Sequence, residues 1–483
     1  MTADPHIVWL RRDLRLADQP AVAAAADRGP VLFVYVLDET AADGERLGGA
    51  ARWWLDGTLA ALGRDIAARG GALVLRHGDA AAIVPALAQD IGAGQVHATR
   101  HGEPAARRQQ AALEKNLAKD GRRLCLHRGG LMVEPGTLTT QSGESFKVFT
   151  PFWRAWQQAL GTDRGQVHAP VAPLPAPKRL AAPAVLPASD RLADWRLRPR
   201  APDWAHGLAA MWTPGEAAAA DRLRHFIADG ARRYGQRRDR MDQDGTSRLS
   251  PHLHWGEISA NQICDTVMRA MPPEDALPFI RQLAWRDFCH SLLDSAPDLA
   301  ARAWNPRFRN FPWRHDGEAL HAWQRGETGY PIVDAAMRAL WHTGWMHNRA
   351  RMIVASFLTK HLLIHWRQGA AWFWDTLVDA DRANNSAGWQ WVAGSGADAA
   401  PYFRVFNPVL QGRKYDPDGV YVRRWLPELA RLPNAHIHAP WQAPKAVLAD
   451  AGVRLGADYP FPIVEHQAAR QRALAAYAGI KAH

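Results

Sequence analysis

The stretch "PIVDAAMRALWHTGWMHNRARMIVASFLTKHLLIHW", Pro331 to Trp366, decides how the second half of the chain folds. After its first residue it contains no proline, and its one glycine, Gly344, stands near the middle. Apolar residues recur three and four apart, so the stretch reads as helix. Within it, "TGWMHNRARM" (Thr343 to Met352) carries an asparagine, a histidine, two arginines and two methionines in close succession. At helical spacing Asn348 and Met352 lie one turn apart on one face, and Arg351 neighbours Asn348 there. Core packing alone does not ask for a face that mixes an amide, a cation and a soft apolar side chain.

The same amphipathic helical rhythm continues on both sides, in "AADRLRHFIADGARRYG", "ALPFIRQLAWRDFCHSLL" and onward, and makes the chain all-helical after Pro214. The first 130 or so residues read differently. There the β-rich runs "HIVWL", "PVLFVYVLD", "ALVLR", "QVHATR" and "RLCLH" alternate with Ala-rich helical stretches, the pattern of a doubly wound, mostly parallel sheet. No GxGxxG follows the first strand, so a Rossmann dinucleotide site is not supported. Proline crowds the text from about 163 to 213, which predicts a connector wrapped over the surface, since Leu and Trp still occur in it. The expected division is residues 1–130 (α/β), 131–213 (interdomain linker) and 214–483 (helical).

With 59 Lys and Arg against 48 Asp and Glu, the formal charge of +11 points to an anionic partner, nucleic acid ahead of an acidic membrane surface, with solubility alone as the plain alternative. Three widely spaced cysteines without a CxxC speak against a disulfide framework or a zinc site. No apolar run approaches membrane-spanning length and "MTADPHIVWL" has no signal-peptide pattern, so the expected location is the cytoplasm.

Three further motifs carry possible chemistry. "DGTSRLSPHLHWG" places Thr246, Ser247 and Ser250 at a turn into a helix, either as an ordinary N-cap or as a cradle for a phosphate. "DADRANNSAGWQW" (Asp379 to Trp391) has carboxylates two apart, which do not share a helical face and so make a poor metal or acid/base pair. No metal site is expected. Asp379 could instead pair with Arg351, or the segment could cap a helix. "RRYGQRRDR" (Arg232 to Arg240) and "QGRKYDPDGVYVRRW" (Gln411 to Trp425) mix arginine with aromatics, which suits phosphate contacts as well as a solvated face.

Taken together, "VWLRRDLRLAD", "GTSRLSPHLHWGEIS", the Glu327–Gly369 stretch that holds the opening quotation, and "NNSAGWQW" with "DAAPYFRVFNP" occur in an order that resembles the photolyase/cryptochrome family from end to end, closest to its class I cyclobutane pyrimidine dimer photolyases. The resemblance implies an α/β antenna domain, a linker and a helical domain that holds FAD. It implies FAD contacts at Tyr234, Thr246, Ser247, Leu249, Ser250, Phe279, Gln282, Arg286, Asn348, Arg351, Asp379, Asp381 and Asn385. DNA and lesion contacts would be Arg238, Trp285, Arg349, Met352 and Trp391. Trp389, Trp366 and Trp313 would pass electrons from the surface to photo-excited flavin, which would account for part of the 22 tryptophans. Such chemistry needs these residue types: linked pyrimidines flipped out of DNA offer an apolar face and a polar edge, and an electron-rich flavin needs a cation and donors nearby.

The implied activity is light-driven repair of cyclobutane pyrimidine dimers by a monomeric lyase acting on DNA. The alternative is a cryptochrome-like photoreceptor without repair; the chain ends at "YAGIKAH" with no long extension of the receptor kind. Two histidines that would mark repair of pyrimidine-pyrimidone photoproducts are absent, since Asn348 and Met352 hold their places. Gln282 stands where dimer-repairing members have Glu, which keeps an acceptor but loses the charge. For a second, antenna chromophore, Ala105 and Ala106 replace the pair used for folate. Arg11 and "GEPAARR" look more like the deazaflavin-binding type, although His101 and His254 replace its Asp and Lys.

Overall fold

The structure, a computed structural model, describes residues 4–40, 46–160, 172–399 and 403–481. Part of the expected connector (161–171) and of "DAAPYFRVFNP" (400–402) lies outside the described residues. Packing divides the chain into two compact units, one of Met1–Arg232 with Ser247–Pro297 and one of Arg233–Thr246 with Asp298–His483.

The first unit is built on a five-stranded sheet of β1 (His6–Leu10), β2 (Val31–Leu37), β3 (Ala72–His77), β4 (Gln95–Thr99) and β5 (Arg123–His127). Its order is β3-β2-β1-β4-β5 and every pairing is parallel. β1 and β2 are buried along their whole length, as strands covered by helices on both faces must be. The helices Pro20–Ala26, Gly49–Ala68, Ala80–Asp90 and Pro104–Ala118 supply the crossovers, so the doubly wound sheet read from the alternating runs is present. The strand order turns at β1, which places a crevice at the carboxyl ends of β1 and β4, where Arg11 and His101 stand.

The connector wraps on this unit through backbone bonds: Val31 N donates to Ala181 O at 2.7 Å, Leu180 N to Arg69 O at 2.8 Å and Asp190 N to Leu75 O at 2.9 Å. It is less irregular than its prolines suggest. A helix Phe149–Ala159 and a short one, His206–Met211, form where "FTPFWRAWQQA" and "HGLAAM" carry no interior obstacle beyond a first-turn proline.

In the second unit the principal core gathers Val333, Met337, Leu340, Val354, Phe357, Leu358, Trp366 and Trp389. The stretch read as continuous helix is broken twice. Helix Pro331–Thr343 ends on Gly344, which adopts φ 65°, the left-handed C-cap conformation that glycine takes most readily. Residues 345–347 are non-helical, and a new helix Asn348–Ser356 begins with His347 as its cap, its side chain accepting from Arg349 N. A π-helical turn Phe357–His361 follows, then Leu363 at φ 54°, before helix Trp366–Thr376. The effect is to start the Asn348–Ser356 helix on the polar residues themselves.

Candidate flavin and DNA site

In the second unit, Arg351 Nη2 donates to both oxygens of Asp379 at 3.0 and 2.8 Å, while Arg351 Nε donates to Met346 O at 2.8 Å. Asp379 keeps 4% of its side chain exposed and Arg351 27%, so the carboxylate is buried and the cation reaches outward. Nε and Nη2 are thus committed and Nη1 remains for an acceptor on a ligand. Beside it, the exposed Asn348 amide lies 3.9 Å from Met352 Sδ, the two meeting at the expected helical spacing.

Asp381 resolves differently from Asp379. Its Oδ1 accepts from Asn384 N at 2.8 Å and from Asn384 Nδ2 at 2.7 Å, capping helix Arg382–Ala393. Both sequence alternatives therefore hold, one carboxylate to each. On the same helix, Asn385 spends an amide N–H on Ala370 O at 3.0 Å and keeps its carbonyl oxygen as an acceptor. Trp389 is 3% exposed and Trp391 half-buried.

The Trp389 ring lies flush on helix Trp366–Thr376: a Cβ added at Gly369 would meet its Cη2 at 2.1 Å. Gly369 is one turn beyond Trp366, so the missing side chain lets the two tryptophans share one stretch of helix. Trp313 packs at the edge of the same core. Gly369 was not legible as a site residue, because close approach leaves no mark beyond a glycine inside a helical pattern.

The two basic motifs, remote in sequence, come together. Met241 N donates to Tyr415 O at 2.9 Å, and the Arg349 guanidinium stacks 4.4 Å above the Tyr415 ring. Arg238 lies 5.5 Å over Tyr234, whose hydroxyl is held above its ordinary pKa by burial. The surface is partly neutralised, since Arg349 pairs with Asp239 at 2.8 Å and Arg240 with Asp242. Arg413 and Lys414 are exposed.

In the first unit, Phe279, Gln282, Trp285 and Arg286 follow at spacing three, three and one on helix Pro273–Ser295, which puts them on one face. Trp285 stacks on Phe149 with ring centres 3.6 Å apart and planes 6° off parallel, a partner that the aromatic "FTPFWRAW" could have suggested. Phe279 packs on Phe226 at 4.7 Å, and Arg286 Nη1 donates to Gly130 O at 2.8 Å. Gln282 Nε2 donates to Pro278 O at 3.1 Å, which fixes the amide so that Oε1 is the atom left to a ligand. Around the motif "GTSRLS", the cap of helix Ser250–His254 is Leu249, which makes no side-chain cap bond, and Ser247 Oγ accepts from Leu249 N at 3.3 Å. An ordinary serine N-cap is therefore not what this motif builds.

At the carboxyl end of β1, Arg11 is half-buried, its guanidinium 4.2 Å over Trp9, with Nη2 bonded to Thr99 O and Gln110 Oε1. Its Nε and Nη1 are buried with no partner, and burial pulls its pKa down to about 10. His101 Nε2 is likewise buried without a partner; burial, then the charges of Arg11 and Arg12, hold it neutral well below the usual imidazole range. Unsatisfied buried donors of this kind fit a ligand that brings acceptors. Among the described residues no group of three His, Cys, Asp or Glu could hold a metal, and no helix is long and apolar enough to cross a membrane.

A parallel α/β unit and a helical unit with an arginine–carboxylate pair and packed tryptophans define a two-part protein of α/β-plus-helical class. Residues 6–178 match the family model for DNA photolyase and residues 279–479 that for the FAD binding domain of DNA photolyase. The chain is 50% identical over 481 residues, 99% of its length and 98% of the relative's, to a deoxyribodipyrimidine photo-lyase of Agrobacterium fabrum. It is 35% identical to cryptochrome-1 of Arabidopsis thaliana, over 96% of this chain and 69% of that one. Among solved structures, a bacterial class III photolyase from Agrobacterium tumefaciens superposes with a TM-score of 0.95 at 48% identity, covering 100% of this chain and 99% of that one. The chain belongs to the photolyase/cryptochrome family.

Proposed function

We propose that the protein is a deoxyribodipyrimidine photo-lyase, which binds FAD and splits cyclobutane pyrimidine dimers in DNA under near-UV or blue light. The observation that carries this reading is the pair Arg351–Asp379 beside Asn348 and Met352: an anchored cation with a donor to spare, an amide and an apolar surface on one helix. Bound, reduced FAD supplies the light absorption and the electron that is lent to the lesion and returned. The chain's own residues hold and orient. Arg351 offers Nη1 to a flavin acceptor, Asn385 offers its carbonyl oxygen, and Tyr234, Thr246, Asn348, Asp379 and Asp381 complete the flavin contacts of the second unit. From the first unit we assign Ser247, Leu249, Ser250, Phe279, Gln282 and Arg286. In the second unit Met352 and Trp391 offer apolar surface and Asn348 an amide to a dimer; in the first, Trp285 offers apolar surface and Gln282 Oε1 an acceptor.

Arg238, Arg349, Arg413 and Lys414 serve the phosphates. Trp389, Trp366 and Trp313 recharge the flavin. The unpartnered buried donors of Arg11 support a second chromophore, and Arg11 favours the deazaflavin type over folate, although His101 departs from that type. As to subtype, whole-chain similarity to a class III enzyme favours class III over the class I reading of the motifs; a holoprotein with its second chromophore placed as in class I would reverse this. Illuminating the purified, reduced protein with dimer-containing DNA should restore thymines; a flavin-loaded protein that restores none would remove the repair reading.

The cryptochrome reading has one specific support, Gln282 in place of a carboxylate, together with the similarity to cryptochrome-1. The same illumination experiment decides between the two.

A further inference from the structure

We propose that His365 is the bridge between Trp313 and Trp366, so that electron exchange between these two indoles runs across its imidazole ring. The inference rests on the proposed tryptophan chain and adds to it a residue that is not a tryptophan.

The His365 ring centre lies 5.0 Å from that of Trp313 and 5.5 Å from that of Trp366, the latter two planes within 30° of parallel. Each indole therefore touches the imidazole. The backbone imposes this placement. Arg314 N donates to Leu363 O at 2.7 Å and Arg314 pairs with Ile364 in an isolated parallel bridge, so Trp313 and His365 lie diagonally across that bridge on one side of it, within reach of each other's rings. Leu363 takes φ 54°, a conformation unusual for a residue with a side chain, at the turn into this bridge.

His365 is also fixed in orientation and in charge. Its Nδ1 accepts from Arg367 N at 3.1 Å as the cap of helix Trp366–Thr376, which leaves the proton of the neutral ring on Nε2. Burial first, then Arg367 and His315, hold its pKa down to about 4, so the ring is uncharged at neutral pH. Charge matters here because an indole that has lost an electron is positive, and an imidazolium in contact with it would oppose its formation. Trp313 Nε1 is buried with no acceptor, so no neighbouring base draws off its proton when the indole is oxidised.

The step balances as one electron. When Trp366 has given an electron to Trp389, Trp313 supplies one to Trp366 across His365; Trp366 is restored and Trp313 is left one electron short. A thiol in solution then reduces Trp313 and ends, after pairing with a second oxidised thiol, as a disulfide. No bond to His365 forms or breaks.

The test uses the flavin-loaded protein and time-resolved absorption with spin resonance to follow which indole is oxidised after a flash. His365→Asn keeps the cap acceptor and removes the ring; His365→Phe keeps a ring and removes the cap. The expected result is that oxidised Trp313 appears several-fold more slowly in His365→Asn and near the wild-type rate in His365→Phe. His365→Asn at the wild-type rate overturns the inference. So does His365→Phe as slow as His365→Asn, which would make capping the whole role. Trp366→Phe is the control for the chain itself: if it too behaves as wild type, the chain reading fails with this one, whereas a defective Trp366→Phe beside a normal His365→Asn sinks the bridge alone.

Discussion

Arg351 and Asp379 form a forked pair, one guanidinium nitrogen meeting both carboxylate oxygens at 3.0 and 2.8 Å, while the neighbouring carboxylate of Asp381 caps a helix through Oδ1. The pair holds the cation in one orientation before any ligand arrives. Truncating either partner strands the other, and charged hydrogen bonds of this type contribute about 1.5–3 kcal/mol. Arg351→Ala and Asp379→Asn should each weaken flavin retention by roughly tenfold or more, read as flavin absorbance per chain after dialysis. Full occupancy in both variants would contradict the assignment.

Trp389→Phe should nearly abolish photoreduction of bound flavin and largely spare repair by enzyme that is already reduced. Gly369→Ala should act the same way more mildly, because its methyl would stand 2.1 Å from the Trp389 ring and push it off the helix. Repair falling in step with photoreduction would show that Trp389 does more than recharge the cofactor.

Binding to dimer-containing DNA should weaken steeply with salt. If three or four of Arg238, Arg349, Arg413 and Lys414 displace counterions, affinity drops roughly a hundredfold between about 50 and 200 mM salt. A flat titration would mean that the Asp239 and Asp242 partners neutralise this surface.

Gln282 now presents Oε1 with its amide nitrogen tied to Pro278 O. Gln282→Glu should hold or improve dimer affinity by about 1 kcal/mol, the step from a neutral to a charged hydrogen bond. Asn348→His with Met352→His should destroy dimer repair. Should Gln282→Glu create repair that the wild type lacks, the protein belongs with the photoreceptors.

Lys360, in the π-helical turn, is buried, donates to Arg404 O at 2.5 Å and lies 4.4 Å over Phe403. Burial, with Arg404 second, lowers its pKa from 10.5 to about 7. Between these two values the unfolded chain binds a proton that the folded chain does not, so stability rises with pH there and the penalty is complete below about 7. Lys360→Met should flatten that rise, by up to about 1.4 kcal/mol per pH unit, in urea titrations repeated from neutral to alkaline pH. Parallel curves for the two proteins would refute it.

Much was legible early because it depends on short-range pattern. Alternating apolar runs name a parallel sheet, since only strands covered on both faces read so. Helical spacing placed Asn348 beside Met352 without any knowledge of what lies opposite, whereas Phe279, Gln282, Trp285 and Arg286 were singled out only by the family resemblance. Of the two alternatives left open for "DADRANN", a charged pair or a helix cap, the structure shows both, the pair at Asp379 and the cap at Asp381.

What sequence determined by itself was therefore the class of the sheet strands and of the principal helices, and which residues of one helix share a face, because a helix repeats every few residues whatever surrounds it. Tertiary structure alone decided where the helix of the opening stretch breaks, at Gly344 and Leu363, and which remote segment meets each face. Asp239 and Tyr415 hold Arg349, a missing side chain at Gly369 admits Trp389, and a single backbone bridge at Arg314 and Ile364 sets His365 against Trp313. Such contacts follow from how close-packed side chains share space between segments far apart in the chain, and periodicity within one segment does not encode its partner.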